Sequence, residues 1–93
     1  MTDSQALKQL PDWSIVNQKL HRQFVFQDFV QAFDFMTQVA IMAEKMDHHP
    51  EWSNSYNTVD VELITHSQKC ISQLDIELAI HMNDIFKHSL TKE

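Results

Sequence analysis

The sequence predicts an α+β fold, on three observations. A helical-period run of apolar residues extends from Asp28 to about Asp47, strand-type stretches lie on both sides of it, and a second capped amphipathic segment follows near the C-terminal end. At 93 residues the chain fits one domain spanning 1–93, since a single core usually serves roughly 100–200 residues. No repeat, low-complexity tract or linker interrupts the order, so the elements are expected to share one core.

Ser4 to Leu10 reads as a short helix that Ser4 can cap, with Ala6, Leu7 and Leu10 as its apolar side and Pro11 as its stop. Trp13, Ile15 and the run Leu20 to Phe26 read as a hairpin. Leu20, Arg22, Phe24 and Phe26 share one face, and the polar Asn17, Gln18 and Lys19 lie between the two pieces. Asp28 can cap the long helix together with Gln31, and Phe29, Phe33, Met36, Ala40 and Ala43 recur at spacings of three and four. Val30, Phe35, Val39, Ile41 and Met42 widen that stripe, which predicts burial on two sides, by the sheet and by a second subunit.

Pro50 disfavours helical backbone at His49, so the helix is expected to end at the two histidines and give way to extended chain. From Tyr56 to Thr65 the pattern alternates as in a half-buried strand, with Val59, Val61 and Leu63 opposite Thr58, Asp60 and Glu62. Ser72 and Asp75 form a second capping pattern, and Leu78, Met82, Ile85 and Phe86 carry the last helix to about His88, after which the chain is expected to fray.

Composition narrows the function. A formal charge of -6 with seven Lys and Arg argues against nucleic acid or an anionic membrane as partner, because both require a basic patch. The complete absence of glycine excludes phosphate-cradling nucleotide loops, which need backbone that only glycine brings close to phosphate. Cys70 has no second cysteine to pair with, and the first residues are polar and acidic, unlike a secretory signal; a reducing cytoplasmic location is expected.

The densest cluster of reactive groups is Glu44 to Pro50, with His66 just beyond a strand. Histidine titrates near neutrality and can donate or accept a proton, and element ends are where a rigid scaffold presents such groups. Glu44 precedes His48 by four residues, so on a helix the carboxylate could orient that ring. Blander readings compete: such a pair is often an ordinary exposed contact worth ~0.2–0.5 kcal/mol, and His48 and His49 also suit a helix C-terminus as cations. A zinc site is disfavoured, since adjacent histidines are not the usual one-turn ligand spacing and no Cys pair assists; metal ligands are therefore not expected. By itself Asp75 reads as a helix cap, and Trp52 and Tyr56 as packing residues.

Glu44, His48, His49, Pro50, Trp52, Tyr56, Val59, Leu63, Thr65, His66 and Asp75 stand at the spacings of pterin-4a-carbinolamine dehydratases, and Phe24 to Phe29, Phe33 to Met36 and Ala43 to Asp47 extend the match. The chain resembles that family from Trp13 to Phe86. The resemblance implies a four-stranded antiparallel sheet with helices packed on one face, assembled as a homodimer or homotetramer. It implies dehydration of 4a-hydroxytetrahydropterin (4a-hydroxytetrahydrobiopterin) to quinonoid dihydropterin, downstream of an aromatic amino acid hydroxylase and without a cofactor. On the family pattern His48, His49 and His66 are the catalytic residues, Pro50 and Thr65 line the pterin pocket with them, and Glu44 and Asp75 support them. His48 and His66 are expected at the leaving hydroxyl and His49 near N5.

The resemblance also carries an alternative, a protein-binding dimerisation module acting as a transcriptional coactivator through its helical surface. Cys70 stands where many members have glycine, so a positive φ there would leave the 67–71 loop strained or rebuilt.

Overall fold

Asn17 and Gln18 both adopt left-handed backbone, φ 52° and 67°, and close a two-residue turn between β1 (Ser14–Val16) and β2 (Lys19–Val25). Consecutive positive φ angles match the right-handed twist of paired strands, and Gln18 meets this requirement without glycine's freedom. Gln18→Gly is therefore expected to stabilise the fold by about 0.5 kcal/mol, relief of left-handed strain outweighing the added unfolded-state entropy; urea unfolding midpoints check it. In this computed structural model residues 3–91 are described.

β2 lies beside β4 (Thr58–Leu63), and β3 (Glu51–Ser55) pairs with the other side of β4, so the order is β1-β2-β4-β3 with every pairing antiparallel. The register sets Leu20 against Leu63, Arg22 against Val61 and Phe24 against Val59, which puts the alternating apolar residues of both central strands on one face. Phe24 is fully buried there, with the rings of Phe35 at 4.7 Å, Phe86 at 5.1 Å and Trp13 at 5.9 Å. Arg22, on the same face, lies over Phe24 at 4.4 Å and Phe86 at 5.1 Å and donates to Asn83 Oδ1 at 2.6 Å. Its stem packs apolar surface while the guanidinium finds rings and an amide oxygen.

Three helices cover this face: α1 (Asp3–Gln9), α2 (Phe29–Met46) and α3 (Gln73–Thr91). The α+β architecture with helices on one side of a four-stranded sheet is thus as expected. α1 starts one residue before Ser4, which places Ser4 within the helix and not at its cap. Residues 89–91, the three that α3 adds beyond His88, are helical where fraying was expected, and residues 92–93 lie outside the described residues.

Asp28 caps α2 as expected, accepting from Gln31 N at 2.8 Å, while Gln31 Oε1 accepts from Gln27 N at 2.8 Å. The face that α2 buries differs from the one expected. Ala32, Phe35, Val39 and Ala43 enter the core, whereas Phe29 (46% exposed), Phe33 (54%), Val30 (76%) and Ile41 (57%) face outward, with Ala40 also exposed. A helix apolar nearly all round leaves its period unable to choose the buried side, and the sheet takes the stripe whose small residues permit close approach.

Between β3 and β4 the chain reverses at Tyr56 and Asn57, so the expected strand from Tyr56 is shorter and Tyr56 does not pack: it is 63% exposed, with φ 49°. Trp52 is half-buried against the core.

Candidate active site

α2 stops through its own backbone before Pro50 acts. Asp47 turns left-handed (φ 51°, ψ 43°), its N–H donates to Glu44 O at 3.2 Å, and His48 N donates to Ala43 O at 3.1 Å, a paired capping that satisfies the last carbonyls. The reversal sends the His48 ring inward and leaves His49 exposed on the rim. From the other side, β4 ends at Leu63, and Thr65 N donates to Cys70 O at 3.0 Å to close a tight loop that carries His66 outward. The left-handed residue of that loop is Lys69 (φ 53°), not Cys70, so the missing glycine is accommodated one position earlier.

Ser72 and Asp75 start α3 as the sequence predicts. Asp75 Oδ2 accepts from Ser72 N at 2.8 Å, and Leu74 N donates to Ser72 Oγ at 3.3 Å. Asp75 does more than cap. It is fully buried; its Oδ2 also accepts from Thr65 Oγ1 at 2.7 Å, and Oδ1 meets His48 Nε2 at 2.6 Å. Because Thr65 donates to the carboxylate, its hydroxyl oxygen accepts from Ser72 Oγ. No buried side-chain polar atom among the described residues lacks a partner, which is the condition for keeping a carboxylate in such a place.

The two other site histidines are held alike. His49 Nε2 contacts Glu44 Oε2 at 2.6 Å, and His66 Nε2 lies 2.8 Å from Glu51 Oε2. Glu44 therefore serves His49 and not His48: the helix ends at Met46, so the one-turn spacing no longer applies where His48 stands. With Nε2 protonated against a carboxylate in each pair, Nδ1 is the nitrogen left to meet a ligand. Glu51 also accepts from Lys19 Nζ at 2.6 Å; Lys19, and to a lesser degree His66, hold its carboxyl below the usual carboxylate range. In turn Glu51 holds the Lys19 ammonium above its usual range.

His48, His49, Thr65 and His66 line one cleft of about 330 Å³ with Asp47, Ile64, Ser67 and Leu74. That volume is at the lower end of small-ligand sites, roughly 300–1,000 Å³, and Ile64 and Leu74 give it an apolar wall. Pro50 is half-buried beside the cleft without lining it, Glu44 stands outside it, and Asp75 sits behind His48. Sequence reasoning missed Glu51 and Lys19; both meet the site through pairings across the fold that no local spacing encodes. Among the described residues no three His, Cys, Asp or Glu side chains are grouped to hold a metal ion, and no helix is long and apolar enough to cross a membrane.

Fold and cleft together define a small α+β protein with three carboxylate-backed histidines around one ligand-sized hollow. A family model described as Pterin 4 alpha carbinolamine dehydratase matches residues 2–85. A Bradyrhizobium diazoefficiens protein assigned as a pterin-4-alpha-carbinolamine dehydratase is 54% identical over 85 residues, 89% of this chain and 85% of that protein. One from Prochlorococcus marinus with the same assignment is 50% identical over 80 residues, covering 86% and 83%. A crystal structure described as a transcriptional coactivator/pterin dehydratase from Brucella melitensis superposes with a TM-score of 0.87 at 49% identity, over 91% of this chain and 96% of that one. The chain belongs to the pterin-4a-carbinolamine dehydratase family and is an enzyme of that hydro-lyase class.

Proposed function

We propose that the protein dehydrates 4a-hydroxytetrahydropterin to quinonoid dihydropterin by histidine acid/base catalysis, in the cytoplasm, recycling the pterin of an aromatic amino acid hydroxylase. The observation that carries the mechanism is the set of three rings on one cleft, each with Nε2 against a carboxylate. The C4a hydroxyl leaves as water once it receives a proton, and loss of the N5 proton neutralises the resulting cation, so one acid and one base suffice. His48 and His66 act at the hydroxyl, His49 near N5, and Thr65 bounds the pterin inside the cleft, with Pro50 just outside it supporting the rim at His49. Asp75 and Glu44 orient His48 and His49. The reaction needs no metal or organic cofactor. The test supplies 4a-hydroxytetrahydropterin from a hydroxylase reaction and follows quinonoid product by absorbance; no acceleration over the uncatalysed rate defeats the proposal.

The outward patch Phe29, Val30 and Phe33, with Ile41 exposed two turns further along, supports a homodimer or homotetramer seated on α2, since neighbouring apolar side chains left in water favour burial. Phe33→Glu is expected to shift the sedimentation coefficient to that of a monomer. The alternative, a coactivator-type module, uses the same helical surface; it is favoured if the wild-type chain sediments as a monomer, captures a regulatory protein through this patch and shows negligible turnover.

A further inference from the structure

We propose that Glu51 is the positioning residue of His66, and that Lys19 fixes Glu51, so that the first hairpin controls which ring nitrogen His66 offers to the ligand. The role in turnover rests on the dehydration reading above; the hold on the ring does not. His66 is exposed on a loop, and an isolated surface ion pair of this kind usually contributes little. Two features set this one apart. Glu51 is gripped from two sides, by Lys19 Nζ at 2.6 Å on Oε1 and by His66 Nε2 at 2.8 Å on Oε2, and it sits on a strand instead of a loop. The contact also uses the nitrogen that His48 and His49 present to Asp75 and Glu44, which leaves the same atom, Nδ1, on all three rings around the cleft. Asp75 and Glu44 come from the helices; Glu51 completes the set from the sheet edge, tied through Lys19 to the start of β2.

Substituting an amide separates these roles. Glutamine at position 51 has one acceptor oxygen for two donors. Lys19, which cannot accept, keeps that oxygen, and the amide NH2 turns to His66 Nε2, forcing the neutral ring into the Nδ1–H form. In nitrogen-15 spectra of the whole protein near pH 8.5, where an ordinary imidazole is neutral, wild-type His66 is expected to be mainly Nε2–H. Glu51→Gln raises the Nδ1–H share at least severalfold. Adding Lys19→Met frees the amide to turn back and restores Nε2–H, while His48 is unmoved throughout. In the dehydration assay Glu51→Gln lowers kcat about two- to fivefold with KM within about twofold, the scale of one moderately exposed charged contact, and the double variant recovers most of it. Identical His66 tautomer ratios in wild type and Glu51→Gln overturn the proposal, as does a kcat that stays at the wild-type value when His66→Ala lowers it. A wild-type protein without turnover defeats the dehydration reading instead, and the spectra still decide whether Glu51 and Lys19 control the ring.

Discussion

His48→Ala is expected to lower kcat for dehydration by about 10²–10⁴-fold, the range general acid/base groups supply, with the largest loss among the three histidines. The reason is placement. His48 is the buried member of the trio, with its ring fixed by a carboxylate that is itself held by Thr65 and Ser72, whereas His49 and His66 are exposed and each leans on a partly or fully exposed glutamate. An ordered ring costs little reorganisation as the proton moves; a mobile one must be found in the productive orientation. The fold should survive, since the ring stands at the cleft, where water can take its place at Asp75 Oδ1, and not among the core aromatics. Circular dichroism and thermal unfolding confirm folding, and stopped-flow absorbance reads the rate. A His48→Ala protein as fast as wild type would remove His48 from the mechanism.

Asp75→Asn should slow dehydration by about 10²-fold or more while also destabilising the fold by about 1–3 kcal/mol, the cost of an unsatisfied buried polar group. The carboxylate receives Ser72 N–H and Thr65 O–H on Oδ2 and His48 on Oδ1. An asparagine has one acceptor oxygen. If that oxygen keeps the α3 cap, its NH2 faces His48 Nε2 and drives the neutral ring to the Nδ1–H form, so the carboxylate no longer backs the ring as it hands its proton to the hydroxyl. If it turns toward His48, its NH2 confronts the Ser72 N–H. Either choice loses something, so activity and the urea midpoint should fall together, whereas His48→Ala moves mainly the rate. Nitrogen-15 spectra distinguish the two orientations, and an Asp75→Asn protein with wild-type kcat and an unchanged ring would show that Asp75 is only a cap.

Much of the scaffold was legible because local rules wrote it. Asp28 with Gln31 and Ser72 with Asp75 announce their helices through capping chemistry that needs only neighbours in sequence. The alternation of Val59, Val61 and Leu63 likewise reports a strand with one face in the core. β3 was read only as extended chain: it is an edge strand of mostly polar residues, half of whose pairing capacity faces no neighbour, so it carries no alternation. The end of α2 near Asp47 was legible as well, but the left-handed turn that makes it was not, because such geometry at a non-glycine residue has no firm sequence mark. For the site, the histidines stood out by type and position, but their carboxylate partners did not. Regular helical spacing coupled Glu44 to His48, and the termination at Met46 gave that glutamate to His49 instead. Asp75 reaches His48 from the start of another helix, and Glu51 reaches His66 from the sheet edge, pairings that exist only once the chain has closed.

Among the described residues five are left-handed, Asn17, Gln18, Asp47, Tyr56 and Lys69, in a chain with no glycine at all. Turns built this way resist alternative shapes, because every residue carries a β-carbon that narrows the conformations open to it. The same restriction acts before folding: without glycine the denatured chain samples fewer backbone states, so the entropy surrendered on collapse is smaller and part of the local strain is offset. The loops that set His48 and His66 beside the cleft thus combine tight reversal with stiffness, and their hinge motions should be slower and smaller than those of a glycine-jointed loop of equal length.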